Sequence, residues 1–175
     1  MSGKRMNPLF NFTSEPSYFQ FLDRLGEQEH IILQSYLESV SYIGGQSIVY
    51  EDQSGEAVFF IKEGEVEIFK LADLANREYI PFIVLEKGGM FGEMSLLTHL
   101  PASATAVARS EVKMDVLKKE SFHRCREDHP QLAWKLYDFF CRTVIRRLYQ
   151  TDQKVTELLQ LFPRNVTDNY RPKKC

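Results

Sequence analysis

The sequence predicts an α+β protein: an antiparallel, eight-stranded β-roll of the jelly-roll kind, with short N-terminal helices and a long C-terminal helix. Three observations lead there. Between Val40 and Lys118, short β-branched and aromatic runs are separated by Gly or polar clusters, the spacing of several short antiparallel strands. Ahead of them, apolar residues fall at helical intervals. Behind them, no Gly or Pro interrupts the chain from Gln131 to Phe162, so one helix can run unbroken.

Residues 1–16 mix Asn, Pro, Ser and Gly without apolar periodicity and read as a loose N-terminal arm. From Ser17, the residues Phe19, Phe21, Leu22 and Leu25 mark a first helix. Gly26 breaks it, and Ile31, Ile32, Tyr36 and Leu37 mark a second. The runs SIVY, AVFFI, VEIF, YIPFIVL, TAVA and VKMDVL then read as strands. Lys62-Glu63-Gly64-Glu65 between two of them reads as a tight hairpin turn with Gly64 at positive φ, and Gly45 and Gly55 as corners. This roll with its flanking helices occupies residues 17–129.

Helix resumes at Lys119, and Asp128-His129-Pro130 opens the long one, with Pro tolerated in the first turn. In residues 130–162, Trp134, Tyr137, Cys141, Val144, Leu148, Thr151, Val155, Leu158 and Phe162 follow a 3-4 spacing. Such a stripe is an a/d seam. Leu132, Leu136, Phe139 and Phe140 widen the apolar face at the start of the helix, so its first turns are expected to lie on the roll. Past Arg146 only the narrow seam remains apolar, and it predicts a parallel, two-fold homodimer. Residues 163–175 form a basic tail.

Composition limits the possible functions. The chain has 175 residues, 43% hydrophobic, with a net charge of −2, so it can bury a real core and is no general nucleic-acid binder. Cys125, Cys141 and Cys175 have no CxxC spacing and read as free thiols, the first two as small core residues. No apolar run is long enough for a membrane span, and the first residues lack a signal-peptide core. A cytoplasmic setting is expected. GxSxG, HExxH and P-loop patterns are absent, and the four histidines are scattered, so neither an enzyme nor a metal site is expected.

The most specific stretch is Phe91-Gly92-Glu93-Met94-Ser95-Leu96-Leu97, then Thr98-His99-Leu100, then Pro101-Ala102-Ser103-Ala104-Thr105. It resembles the phosphate-binding cassette of the cyclic-nucleotide-binding domain family, the module of catabolite-activator proteins, protein kinase A regulatory subunits and cyclic-nucleotide-gated channels. The resemblance covers roughly residues 20–160. It implies a cyclic nucleotide as ligand and no other cofactor. Gly92 would admit the ligand close to backbone, Glu93 would accept from the ribose hydroxyl, and Ser103 would donate to the phosphate, with Met94, Ser95 and Thr105 completing the cassette. One signature position departs: the family's Arg is Ala102 here.

That Arg makes the charge-assisted contact to the cyclic phosphate. Losing one partner of a buried ion pair costs about 3–5 kcal/mol, roughly 10²–10⁴ in affinity. The expectation is therefore a cavity in which a phosphodiester meets no cation. Lys87, His99 and Arg109 are the candidate substitutes. Arg109 is the best placed, sharing a strand face with Ser103 and Thr105. Alternatively, Glu93 caps the cassette's own donors, and Met90, Met94 or Leu100 close the space.

Four functions compete. A homodimeric cyclic-nucleotide sensor would signal through its C-terminal helix. A ligand-independent dimeric adaptor would bind an unidentified protein partner, and Ala102 favours this reading. A transcription factor would need a helix-turn-helix pair, and only LFPRNVTDNYRPKKC follows residue 160, so no DNA binding is expected. An enzyme finds no support.

Overall fold

The computed structural model describes residues 17–73, 78–98 and 100–161. The proposed N-terminal arm, basic tail, Phe162 and His99 lie outside them. Two short helices open the chain, α1 (Tyr18–Leu22) and α2 (Glu27–Tyr36). The Ser17 hydroxyl caps the first by accepting from the Phe19 N–H at 3.3 Å, and Glu29 caps the second by accepting from the Gly26 N–H at 2.9 Å.

Strands β1 (Leu37–Tyr42), β2 (Ser47–Val49), β3 (Ala57–Glu63), β4 (Val66–Asp73), β5 (Glu78–Leu85) and β6 (Met90–Phe91) follow. Then come α3 (Glu93–Thr98), β7 (Thr105–Ala108), β8 (Val112–Lys118), α4 (Lys119–Asp128) and α5 (Pro130–Leu161). The strands form two four-stranded antiparallel sheets, ordered β1-β8-β3-β6 and β2-β7-β4-β5.

The period-two alternation of a strand explains the layering. On β3, Val58 and Phe60 join the core under the helices, while Ile61 and Phe59 join the core between the sheets. On β8, Leu117 takes the helix side and Val112 and Met114 the inter-sheet side. The first sheet is thus the middle layer, with helices on one face and the second sheet on the other. Phe60 anchors the helix side, its ring stacked on Tyr18 at 4.4 Å and lying beside Phe139 and Phe140 of α5. Asp115 of β8, buried, accepts from the hydroxyls of Tyr18 and Ser39 and from Lys62 Nζ at 3.2, 2.9 and 3.0 Å. Burial and this carboxylate push the Tyr18 phenol well above its usual range.

Gly64 has φ +84°, as a tight turn requires, but the turn is no hairpin: β3 pairs with β8 and β6, and β4 with β5 and β7. The turn carries the chain from one sheet to the other, a connection that strand runs alone do not distinguish from a hairpin. Cys125 is buried, but Cys141 is exposed on α5 and is no core residue. Burial pushes the Cys125 thiol up to about 11.

The long helix opens at Pro130 as expected, and Leu132, Leu136, Phe139 and Phe140 are buried on the roll. The structure divides the expected seam. Tyr137 packs against the helix-side core and Val144 is half-buried against the cassette. Trp134 is 72% exposed and Leu148 60%, with Cys141, Val155 and Leu158 exposed as well. Ile145 and Leu159 are also exposed. The outward apolar stripe is therefore Trp134, Cys141, Ile145, Leu148, Val155 and Leu159, rotated slightly from the one read in the sequence, because the roll itself occupies the Tyr137–Val144 edge.

Candidate functional site

The cassette starts where β6 hands over to α3. Gly92 sits there at φ +89°, and a Cβ on it would stand 2.3 Å from the Ala57 carbonyl oxygen, so only glycine lets the chain turn this close to β3. Gly55 is more than a corner: a Cβ there would meet the Ser95 side chain at 2.4 Å, so its loop presses on α3. The same loop holds the far end of the cassette. Ala102 N–H donates to Gln53 O at 2.8 Å, Asp52 N–H to Ala102 O at 2.9 Å, and Glu51 N–H to Thr105 Oγ1 at 3.0 Å.

These elements enclose a cavity of about 370 Å³ between the cassette, β4 and β5 of the second sheet, and α5. Gly92, Glu93, Met94, Ser95, Ala102 and Ser103 all line it. Thr105 does not; its hydroxyl is spent on the Glu51 amide. Met94 is exposed at the cavity edge, whereas Ser95 is buried beneath Gly55.

Arg109, the proposed substitute cation, is not in the cavity. It is 54% exposed and paired with Glu65 at 3.3 Å. Along this stretch it is Ala104 and Ala106, not Thr105, that line the cavity, so the face shared with Thr105 leads away from it, and Arg109 lies beyond the end of β7, whose last residue is Ala108. Lys87 is elsewhere too, over the Phe19 ring at 5.3 Å.

The cations present are ones the sequence reading missed. Lys70, Arg147 and Lys154 line the cavity, which corrects the expectation that an entering ligand meets no positive group. Each is engaged. Arg147 of α5 donates from Nη1 to Glu93 Oε1 at 2.8 Å and from Nη2 to the Met90 carbonyl. Lys70 donates to Glu51 Oε1 at 3.0 Å and to the Ser103 carbonyl. Lys154 stands 5.7 Å from the Phe82 ring centroid.

Glu93 is 1% exposed, so its charge demands a partner. The alternative that it caps the cassette's own donors is replaced by the contact with Arg147, and the cavity is closed from α5. Met90 is in the core, and Leu100 is 64% exposed. Two signals in the sequence could have pointed there. Val144, Arg147, Leu148, Thr151 and Lys154 share one face of the helix, placing two cations beside apolar residues. Lys70 stands two residues from Ile68 on β4, hence on the same sheet face.

Among the described residues no group of His, Cys, Asp and Glu could hold a metal ion, and no helix is long and apolar enough to cross a membrane. Comparison with known proteins agrees with the geometry. The family model described as "Cyclic nucleotide-binding domain" matches residues 39–129. A cAMP-dependent protein kinase regulatory subunit from Blastocladiella emersonii is 34% identical over 103 residues, 59% of this chain and 25% of that subunit. The chain thus spans about a quarter of the curated relatives it matches. The catabolite activator protein of Thermus thermophilus superposes with a TM-score of 0.65 at 28% identity, over 79% of this chain and 62% of that one. A cyclic nucleotide-binding domain from Methylobacillus flagellatus superposes with a TM-score of 0.73 at 19% identity, over 85% of each chain, a likeness of fold.

Proposed function

The chain belongs to the cyclic nucleotide-binding domain family, and from that premise we propose that it is a non-enzymatic regulatory module whose cassette is occupied by its own C-terminal helix. In this reading it does not take cAMP or cGMP in the family's usual way, and it acts as a dimeric protein-interaction adaptor. The observation that carries the reading is the Arg147–Glu93 contact at 2.8 Å. One oxygen of the carboxylate that a ribose would need is already paired with a guanidinium, and the family's phosphate-binding Arg is Ala102.

Thermal unfolding with about 1 mM cAMP or cGMP tests this. A ligand at roughly 1,000 times its Kd adds about 4 kcal/mol, raising the midpoint by some 8–16 °C in a chain this size. The expected rise is under about 2 °C. A rise of the larger size contradicts the reading.

One observation favours a second reading, the nucleotide sensor. Lys70 reaches the Ser103 carbonyl, so a phosphate drawn to Ser103 finds an ammonium nearby, in exchange for its contact with Glu51. If nucleotide raises the midpoint and Lys70→Ala abolishes the rise, the sensor replaces the adaptor.

Support for a dimer is the outward stripe on α5, whose 7-4-3-7-4 intervals from Trp134 to Leu159 are those of a heptad seam with Asp138 and Asp152 at the two skipped positions. In a parallel pair Cys141 faces its copy. With Cys175→Ser and mild oxidation, a covalent dimer is expected on non-reducing gels, lost in Cys141→Ser. Sedimentation as a monomer at tens of micromolar (roughly the range in which a transient contact would show) contradicts the dimer.

A further inference from the structure

We propose that a second cavity, on the far side of the cassette wall, binds a small amphipathic amine, with its apolar body between the two sheets and its cationic head at a carboxylate rim. The inference goes beyond the reading above and holds whatever the cassette itself takes.

This cavity, of about 450 Å³, opens where the sheets part. Along β1, β3 and β8 the period-two alternation turns Val40, Tyr42, Phe59 and Val116 toward the second sheet. Opposite them β2 has three residues against six in β1, and the chain from Tyr50 to Glu56 continues the wall as a loop. Val40, Tyr42, Ile48 and Phe59 are therefore only half-buried, and with Val116 they make an apolar floor. The loop is held at its end by the Lys119 N–H, which donates to the Glu56 carbonyl at 2.8 Å. Gly92, Ser95 and Ala102 line both cavities, so an occupant here lies against the back of the cassette. The volume is that of a small-molecule pocket, roughly 300–1,000 Å³.

Charge at the rim selects the head group. Glu38 and Lys118 line the cavity and pair with each other at 2.8 Å. Glu56 and Glu120 line it too, and neither has an ion-pair partner among the described residues. Glu56 accepts from the Ser54 hydroxyl at 3.2 Å. Arg124, one turn along α4 from Glu120, donates to Ser121 Oγ at 3.4 Å. Two carboxylates are thus in excess over an apolar floor. An anion meets their repulsion, and a neutral apolar molecule uses the floor alone. An amine with an apolar body uses both.

Calorimetric titration of the full chain with tryptamine and with indole-3-propionate, the same ring carrying the opposite charge, tests the proposal. Saturable one-to-one binding of tryptamine is expected below about 1 mM. Indole-3-propionate is expected to bind at least about tenfold more weakly, because each rim carboxylate attracts one head and repels the other. Ala57 is half-buried and lines this cavity but not the cassette cavity, so Ala57→Phe is expected to abolish tryptamine binding. The double variant Glu56→Gln with Glu120→Gln changes two exposed side chains and decides even if Ala57→Phe does not fold. It is expected to bring the two ligands within about threefold of each other. Absence of saturable tryptamine binding, equal binding of the two ligands, a folded Ala57→Phe that binds unchanged, or a double variant that keeps the tenfold preference overturns the proposal.

Discussion

Replacing Arg147 by Ala is expected to lower the unfolding free energy by about 3–5 kcal/mol, because it leaves an uncompensated charge inside the protein. Glu93 is 2% exposed at its side chain and Arg147 26%, so water reaches the cation's rim but not the carboxylate. The Met90 carbonyl loses its guanidinium donor in the same step. Urea denaturation reads the change as a shifted midpoint at constant slope. The double variant Arg147→Ala with Glu93→Gln is expected to recover much of the loss, since removing both charges leaves nothing unpaired. Arg147→Lys is expected to fall between, keeping the charge without the planar fork that reaches both acceptors. An Arg147→Ala protein within about 0.5 kcal/mol of the parent, the range of ordinary surface changes, would mean that the two side chains do not meet.

The second large effect concerns ligand affinity. Ala102→Arg is expected to raise cAMP affinity by about 10²–10⁴, the worth of restoring a charge-assisted partner to the phosphate. Ala102 lines the cavity and is 6% exposed, so a side chain placed there enters the cavity or strains its walls. Its backbone is fixed from both sides by Gln53 and Asp52, which keeps the loop in place while the side chain changes. Titration calorimetry should move from no saturable heat to a resolvable isotherm. Unchanged, unmeasurable binding in a stably folded variant would show that more than the missing cation keeps the nucleotide out. Occupation of Glu93 by Arg147 is then the first cause to remove, by pairing Ala102→Arg with Arg147→Ala.

Much of the fold was legible because local rules and packing agree. The β3 run AVFFI serves two cores at once, with Phe60 on one side and Ile61 on the other, and such two-sided strands read as continuous apolar segments. Strand β1, LESVSY, gave a weaker signal. Val40 and Tyr42 pack between the sheets, and Glu38, Ser39 and Ser41 dilute the run. Strand β6 has two residues, too few for any periodicity. The turn at Gly64 shows the limit of local reading, since φ > 0 is dictated by sequence and the choice of sheet by partners far along the chain.

The cassette itself was legible as a motif, down to the departure at Ala102. What occupied it was not. Arg147 lies 54 residues from Glu93 in the chain, and the helical spacing that marks it also fits an outward seam. Only the crossing of α5 over the cavity decides between the two, and that crossing is set by Phe139 and Phe140 docking on Phe60. Lys70 was passed over for a similar reason: an isolated lysine on a strand reads as solvated until the opposing loop, with Glu51, is in place.

A crystal structure of the full chain grown with a large excess of cAMP tests the central claim most directly. The expected density shows Arg147 within hydrogen-bonding distance of the Glu93 carboxylate and no nucleotide in the cassette. A cyclic nucleotide with its ribose hydroxyl on Glu93, and Arg147 swung away, would contradict it.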